Sequence, residues 1–304
     1  MIYLYAGQFL SKQRTAKALG ELFGVPISAG TVTAASSHAA RDVTGSGFLD
    51  RVRDLVAAAS VAHFDETGFR VAGKLHWVHS ASTGKYSLIT VHAKRGTVAM
   101  NAAGVLPVFT GIAVHDACAP YDTYTQAGHA LCGGQVLREL TAVIDTARAD
   151  MFCWARQVHD ALLGLKKLVD AAETGHTFVD PHALAHPHSS ARSTANIGAT
   201  SNRDCDTLLA KKHHALARRL LDRQDDYLRF TTDFSVPFHN NAAEREIRMI
   251  KVRQKVSGCL RTLPGAETFC AIRSYLATAA KHGINFFTSL TMLAERQPWL
   301  PTAA

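Results

Sequence analysis

Two aspartates and a glutamate have the residue types and surroundings of a metal-dependent phosphoryl-transfer site. Asp65 is placed at the end of one predicted strand and Asp116 at the end of another. If these strands are neighbours in a sheet, the two carboxylates repel each other unless a proton or a divalent cation lies between them. Two Mg²⁺ ions about 4 Å apart are the usual arrangement where phosphates react. An aspartate at a strand end can also simply form a turn, so this pair alone leaves two interpretations open.

A basic helix contributes the glutamate. The segment 238–261 predicts a helix that is capped by Asn240 or Asn241. At about 100° per residue, one face of this helix carries one acid and three cations: Glu244, Arg248, Lys251 and Lys255. A separate apolar stripe is predicted to face the core: Met249, Val252 and Val256. The charged face is either a solvated pattern of side chains four residues apart, or a site where Glu244 completes a metal centre and the cations contact phosphates.

Positive charge is concentrated around this helix. The chain has 304 residues and a formal net charge of +8. Residues 241–281 contain eight Lys and Arg side chains and three Glu side chains, a local excess of five positive charges. Such a concentration is the electrostatic pattern expected of a nucleic-acid-binding protein. The candidate nucleic-acid-binding residues are Arg245, Arg248, Lys251, Lys255 and Arg261.

The composition excludes several classes of protein. Apolar residues make up 47% of the sequence, which is enough for a sizeable core and excludes global disorder. No apolar run approaches the roughly 18 residues of a transmembrane helix, and the first residues lack the basic start of a signal peptide, so we expect a cytoplasmic protein. The six cysteines form no Cys-x-x-Cys pair, so neither structural zinc nor a disulfide framework is expected.

The hydrophobic pattern predicts the elements that position the acids. Residues 59–92 contain three short β-rich runs separated by turn residues, which predicts a three-stranded antiparallel meander. A helix over 94–103, a strand over 111–115, a helical region, a short strand over 129–132 and a long helical stretch over 135–168 follow. This order predicts an α/β fold with a mixed five-stranded sheet flanked by helices, the ribonuclease-H-like arrangement.

Helical segments precede and interrupt that core. Residues 11–24 predict a helix that begins after Ser11 and ends at Gly24. A second helix is expected from Thr31, so the pair forms either a helix-turn-helix-like unit or two ordinary packed helices. The predicted segments are an N-terminal helical segment (1–57), the first part of the core (58–150), a helical insertion (151–234) with a flexible loop (171–206), the second part of the core with Glu244 (235–285) and a C-terminal tail (286–304).

A set of short motifs runs through nearly the whole chain. One group lies in the first part of the core: His63-x-Asp65-Glu66-Thr67-Gly68, His76-Trp77, His92-x-Lys94-Arg95-Gly96, Val114-His115-Asp116 with Tyr121, and Leu137-Arg138-Glu139-Leu140. The most specific block follows the insertion: Val236-Pro237-Phe238-x-Asn240-Asn241-x-Ala243-Glu244-Arg245, then Arg248-Met249-x-Lys251 and Lys255-x-Ser257-Gly258-Cys259. In these motifs the chain resembles the DDE transposases of the bacterial insertion sequence sixty-six group.

The resemblance implies a ribonuclease-H-like catalytic core with a helical insertion before the last acid. Asp65, Asp116 and Glu244 fall on the three metal-binding acids of the family, and the implied cofactor is Mg²⁺, or Mn²⁺ in its place. The implied reaction is attack of water on a phosphodiester at a transposon end, followed by attack of the freed 3′-OH on target DNA. The expected partners are double-stranded DNA of the element ends and of the target, further copies of the chain and accessory proteins of the element. The expected location is the nucleoid of a bacterial cytoplasm, away from any membrane.

The chain departs from the family pattern at three places. Gln135 stands where the family commonly has a histidine, and Ala117-Cys118 stand where Gly-Trp is common. The chain is also expected to lack the Cys-rich zinc-binding segment that family members usually carry in front of the position of Met1. A second hypothesis is therefore a truncated or decayed transposase remnant that binds DNA without catalysis. A ribonuclease-H-like nuclease with another substrate is disfavoured by the block 240–245.

Overall fold

The structure is a computed structural model that describes residues 1–147, 151–175, 179–203 and 206–302, so that Cys205 lies outside the described residues. The chain divides into two compact units. The first unit consists of Met1–Ala113, Cys118–Gly128 and Asn241–Ala304, and the second unit consists of Val114–Ala117 and His129–Asn240. The five segments predicted from the sequence stay a prediction.

A five-stranded sheet carries the first candidate acids. Its strands are β1 (Val61–Val71), β2 (Lys74–Ser82), β3 (Ser87–His92), β4 (Ile112–His115) and β5 (Gly128–Leu131). Their order in the sheet is β3-β2-β1-β4-β5, and the β1–β2 and β2–β3 pairs are antiparallel. The sheet is mixed and flanked by helices, so the predicted ribonuclease-H-like α/β fold is confirmed. The predicted neighbourhood of β1 and β4 is confirmed as well.

A tight turn sets the pairing of β1 with β2. Ala72 and Gly73 connect the two strands with φ angles of 49° and 77°. Positive φ at both positions is typical of two-residue turns between antiparallel strands, and glycine adopts it without steric cost. The resulting register places Asp65 opposite Ser80.

Helices make up most of the remaining chain. The α-helices of the described residues are α1 (Lys12–Phe23), α2 (Ala29–Gly45), α3 (Phe48–Ala57), α4 (Thr97–Ala103), α5 (Gly133–Ile144), α6 (Trp154–Gly175), α7 (Pro181–Ser201), α8 (Leu208–Asp222), α9 (Gln224–Leu228), α10 (Asn241–Ser257), α11 (Leu263–Lys281) and α12 (Phe286–Ala294). Short π-helical or 3-10 segments occupy Tyr3–Gly7, Leu106–Val108, Ala119–Thr123 and Arg229–Thr231. No helix of the described part of the chain is long and apolar enough to cross a membrane.

Side-chain capping explains where the first two helices begin. The Ser11 hydroxyl accepts a hydrogen bond from the Arg14 amide at 3.2 Å, and Gly24 ends α1 with a φ of 64°. The Ser28 hydroxyl caps α2 by accepting from the Thr31 amide at 3.0 Å. Both predicted helices are therefore confirmed, although α2 begins at the residue after Ser28 rather than at Thr31.

Aromatic residues form the centre of the first unit's core. The ring of Phe269 on α11 makes edge-to-face contacts with Tyr5 and Phe9, with centroid distances of 6.0 and 6.4 Å. Phe48 of α3 meets Tyr275 of α11 in the same way at 5.1 Å. Since edge-to-face pairs add to the gain from burial, these contacts hold α11 against the N-terminal segment.

Three helices, α6, α7 and α8, pack side by side in the second unit. The close approach of α6 and α7 requires a glycine. A Cβ atom on Gly198 would lie 2.4 Å from Cδ2 of the buried Trp154, which is closer than real atoms approach. The indole of α6 therefore occupies the space that any other residue at position 198 would fill.

The predicted flexible loop over 171–206 is wrong for most of its described residues. Helix α6 continues to Gly175, and α7 covers Pro181–Ser201, where the Asp180 side chain accepts a hydrogen bond from the His182 amide at 2.9 Å. The buried side chains on α7 include a stripe four residues apart: Ala191, Ala195 and Ala199. Alanine contributes weakly to a hydropathy pattern, so a helix buried through alanines resembles a polar loop in sequence.

Two smaller expectations also need refinement. The stretch predicted to be helical over 135–168 is formed by two helices, α5 and α6, so its helical character is confirmed and its division is new. The helical region expected after Asp116 is the short 3-10 helix at Ala119–Thr123, which contains Pro120 near its start. Proline lacks an amide hydrogen and tolerates only the first turn of a helix, which favours a short segment here.

Candidate active site

Asp65 lies in the middle of a long strand. Its expected position at a strand end is wrong, because β1 continues for six residues beyond it to Val71. The run from Asp65 to Gly68 is polar enough to suggest a turn, but it pairs with β2 throughout. One carboxylate oxygen of Asp65 accepts a hydrogen bond from the Glu66 amide at 2.8 Å. Strand pairing and this bond together define where the carboxylate lies.

The neighbouring carboxylate of Glu66 is buried and is held by two side-chain partners. Its side chain is 1% exposed. Arg95 donates to Oε1 through Nε at 3.1 Å and Nη2 at 2.8 Å, and the Tyr121 hydroxyl donates to Oε2 at 2.6 Å. The Arg95 guanidinium also lies 4.6 Å from the ring centroid of Trp77. Because successive strand residues point to opposite faces, this network supports β1 from the face opposite the Asp65 side chain.

Sequence reasoning missed this network. Its members occur in the motifs quoted above, but Arg95 and Tyr121 are 29 and 55 positions from Glu66, and no spacing rule joins them. The available signal was the pair of consecutive acids in a predicted strand. One of two such acids must face the opposite side of the sheet, and a buried carboxylate there requires a cationic partner.

Asp116 follows directly after β4, as predicted. The preceding His115 is fully buried, and its Nδ1 donates to the backbone carbonyl of Asp116. Its Nε2 accepts a hydrogen bond from Nδ1 of His129 at 3.0 Å. Burial lowers the pKa of His115 to about 3, so the ring is neutral at physiological pH and carries the one proton that this arrangement requires. The two hydrogen bonds hold the backbone at Asp116.

Glu244 lies in the first turn of α10 and is half-buried. Helix α10 packs against β1 and β2 within the first unit. Lys251 joins helix and strand directly, because its Nζ donates to the Gly68 carbonyl at 2.8 Å. The first unit thus brings the helix of Glu244 against the strand of Asp65. Asp116 belongs to the second unit.

The predicted charged face of α10 is exposed to solvent. The exposed cations of the helix are Arg245, Arg248, Lys251 and Lys255. Arg261, which lies beyond the end of the helix, is exposed as well. Among the described residues, no carboxylate forms an ion pair with Arg245, Arg248 or Lys255. Their charge is therefore not neutralised by any acid in the described part of the chain.

The buried face of α10 differs from the predicted apolar stripe. Its buried residues are Ala243, Glu246, Ile247, Ile250 and Arg253. Of the predicted stripe, Val256 is exposed, whereas Met249 and Val252 are half-buried against the core. The Glu246 carboxylate accepts a hydrogen bond from the Ser87 hydroxyl at 3.0 Å and lies 4.0 Å from the Lys281 Nζ. A hydropathy pattern assigns charged residues to the surface. It therefore does not predict a buried helix face that contains charged residues with hydrogen-bond or ion-pair partners.

The three acids fit a divalent cation by the chemistry of their donors, because carboxylate oxygens are the ligands that Mg²⁺ and Mn²⁺ prefer. Within the described ranges, no cluster of three or more His, Cys, Asp and Glu side chains is arranged to hold a metal ion. Asp65, Asp116 and Glu244 each have interaction partners in the structure.

A model of the transposase IS66 family matches residues 1–268. The chain belongs to this family. The match includes Asp65, Asp116 and Glu244 and confirms the resemblance to the insertion sequence sixty-six transposases. No curated protein and no solved structure matches the chain.

Gln135, which the resemblance marked as a departure from the expected histidine, has a defined place in the structure. Gln135 lies on α5, where its amide nitrogen donates to Glu139 at 3.3 Å and its amide oxygen accepts from Arg138 at 2.6 Å. All three residues belong to the same helix, so the glutamine takes part in a local network. An amide cannot gain or lose a proton near neutral pH, whereas the histidine expected here from the resemblance could.

Proposed function

We propose that this IS66 family member is a transposase that cleaves DNA at the ends of an insertion sequence and joins the freed 3′ ends to target DNA in a metal-dependent reaction. The observation that carries the proposal is the placement of Asp65 on β1 and Asp116 at the end of the adjacent strand β4. Two acids on neighbouring strands of a ribonuclease-H-like sheet, in a chain whose family match extends through Glu244, favour this reaction over other uses of the fold.

In this proposal Asp65, Asp116 and Glu244 hold Mg²⁺, or Mn²⁺ in its place. The bound cation would activate the attacking oxygen and stabilise the charge on the leaving oxygen. Each acid contributes a negatively charged oxygen. The Glu66 amide, which donates to Asp65, restrains one of these oxygens. The neutral His115 restrains the backbone at Asp116 without adding positive charge.

The exposed cations are proposed to bind the DNA backbone. Arg245, Arg248, Lys251, Lys255 and Arg261 would contact phosphates of the element ends and the target, which are double-stranded DNA. Such contacts neutralise phosphates, and they supply affinity that depends on salt and hardly on sequence. We propose further that copies of the chain assemble on paired ends, together with accessory proteins of the element, in the bacterial nucleoid.

Substitution of Arg248 or Lys255 by glutamine is expected to weaken DNA binding through charge alone. Each variant loses one phosphate contact, so the plot of log affinity against log salt concentration becomes shallower by about one unit per substitution. The measurement is a salt titration of fluorescence anisotropy with a labelled duplex. Lys251 is a poor choice for this test, because it also donates to the Gly68 carbonyl.

The control for this titration is Lys85→Gln, which removes an exposed lysine from the turn between β2 and β3. It is expected to keep the slope of the wild type. If Arg248→Gln and Lys255→Gln also keep that slope, the exposed face of α10 does not bind the DNA backbone.

The catalytic proposal is tested with the full chain and a supercoiled plasmid that carries the coding sequence and its native flanking DNA. We expect nicks at the element ends in the presence of Mg²⁺ and none in the presence of a chelator, because the carboxylates alone cannot stabilise the leaving oxygen. Binding of the plasmid without nicks in either Mg²⁺ or Mn²⁺ would refute the catalytic function and leave a DNA-binding remnant.

A further inference from the structure

A pocket of about 520 Å³ opens in the first unit, away from the three acids. The N-termini of three helices line it: the cap Ser11 with Lys12 and Gln13 of α1, Ala29 and Gly30 of α2, and the cap Thr262 with Gly265 of α11. All three helices are long, with 12, 17 and 19 residues. Helices of this length carry a partial positive charge at their N-termini. Three such termini at one pocket favour a negatively charged ligand.

The backbone of these turns provides hydrogen-bond donors. The first amides of a helix have no acceptor within that helix. Side chains satisfy only one amide in each case: Ser11 accepts from Arg14 at 3.2 Å, Ser28 from Thr31 at 3.0 Å and Thr262 from Gly265 at 3.2 Å. The amides of Lys12 and Gln13 in α1 and of Ala29 and Gly30 in α2 remain for a ligand, as in known phosphate sites at helix N-termini. In α11, Pro264 has no amide hydrogen, so that helix contributes its dipole rather than free amides.

Side-chain charge at the pocket is positive as well. Lys12, Arg253 and Arg261 line it, and none of the described residues that line it is acidic. Among the described residues, no carboxylate forms an ion pair with any of these three cations. Burial, together with the nearby charge of Arg253, lowers the pKa of Lys12. A bound anion would relieve that repulsion.

Arg253 gives an independent indication of a ligand. Its side chain is 3% exposed, yet its Nε has no hydrogen-bond partner among the described residues. Nη1 donates to the Gly258 carbonyl at 3.0 Å, and the guanidinium lies 5.1 Å from the ring centroid of Phe269, so the group is held in place. The neighbouring Tyr5 hydroxyl interacts with the guanidinium, but it is neutral and leaves the positive charge uncompensated. A buried charge is costly unless an anion lies next to it.

We propose that this pocket binds a phosphate group, carried by a nucleotide or by a DNA strand. Arg253 and Arg261 donate hydrogen bonds to phosphate oxygens from planar guanidinium groups, Lys12 supplies a point charge, and the first turns of α1 and α2 supply backbone amides. The pocket is larger than a phosphate alone needs, so it leaves room for the sugar or base to which the phosphate is attached. The site is separate from the metal site proposed above and does not depend on it.

The test measures ligand binding to the full chain by calorimetry. The ligands are inorganic phosphate, deoxyadenosine monophosphate and a short DNA duplex, each without divalent cations so that the proposed catalytic site stays inactive. The wild type is expected to bind at least one of them. Lys12→Gln and Arg261→Gln are expected to weaken that binding at least about tenfold, because each removes a charged donor to phosphate. Arg253→Met, which keeps the apolar stem of the side chain, is expected to weaken it further.

The control is Arg41→Gln, an exposed position of α2 that does not line the pocket, and it should bind like the wild type. Comparison of the three ligands identifies the source of the phosphate. Tighter binding of the nucleotide indicates a nucleotide ligand, and tighter binding of the duplex indicates a DNA strand. Should Arg253→Met fail to fold, Lys12→Gln decides the matter, because this side chain is less buried and, unlike Arg261, is not among the DNA contacts proposed above. The proposal is overturned if none of the ligands binds, or if Lys12→Gln binds them like Arg41→Gln.

Discussion

Replacement of Asp65 or Asp116 by asparagine, or of Glu244 by glutamine, is expected to reduce metal-dependent DNA nicking at least about 1,000-fold, which corresponds to ~4 kcal/mol of transition-state stabilisation. Each amide keeps the shape of the acid but removes the negative charge that holds a divalent cation. The fold should survive. The asparagine oxygen at position 65 can still accept the hydrogen bond from the Glu66 amide, and position 244 lies only in the first turn of α10.

The measurement compares single-turnover nicking rates of the variants with that of Asp54→Asn, which removes an exposed carboxylate from α3 and should nick like the wild type. Circular dichroism checks that each variant folds. Full nicking by Glu244→Gln would show that Glu244 is not a metal ligand. Loss of nicking in all three variants with unchanged DNA binding would show that the acids act in catalysis and not in DNA binding.

Replacement of Phe269 by alanine is expected to lower the free energy of unfolding of the first unit by ~3–5 kcal/mol, the usual cost of removing a buried phenylalanine ring. Phe269 is 1% exposed, and its ring contacts Tyr5, Phe9 and the guanidinium of Arg253. Its loss leaves a cavity between α11 and the N-terminal segment. The contacts come from distant parts of the chain, so no single element can shift to fill that cavity.

Urea unfolding of the full chain measures this effect. Phe23→Ala makes the same chemical change at a position that is 68% exposed, and it should change the free energy of unfolding by less than about 0.5 kcal/mol. Equal midpoints for Phe269→Ala and Phe23→Ala would contradict the assignment of Phe269 to the centre of the core.

Local chemistry was sufficient to predict several elements. The caps at Ser11 and Gly24 marked both ends of α1, because a hydroxyl acceptor and a left-handed glycine act over only a few residues. The meander of β1 to β3 was predicted from β-rich runs between turn residues. The position of Asp116 after β4 followed from a short apolar run that ends at a polar residue.

Elements whose identity depends on distant partners were predicted less well. Asp65 was expected at a strand end because the polar residues after it suggest a turn, yet pairing with β2 extends β1 to Val71. Helix α7 was expected to be a loop because its buried face consists largely of alanines, whose burial depends on the neighbouring helices. In both cases a contact across the fold decided what the local pattern left open.

The sequence by itself determined the family, the ribonuclease-H-like fold, the order of the strands along the chain and the concentration of positive charge around α10. These depend on residue types, on short spacings and on hydrophobic periodicity, all of which can be read along the chain. Only the tertiary structure decided which charges are buried and what they contact. Glu66 is neutralised by Arg95, which is 29 residues away, and Arg253 lies at a pocket formed by three helix N-termini. A charged residue becomes buried and gains its partners only when distant segments of the chain meet. The sequence alone therefore does not distinguish a charged residue that faces solvent from one that faces a buried partner or a ligand.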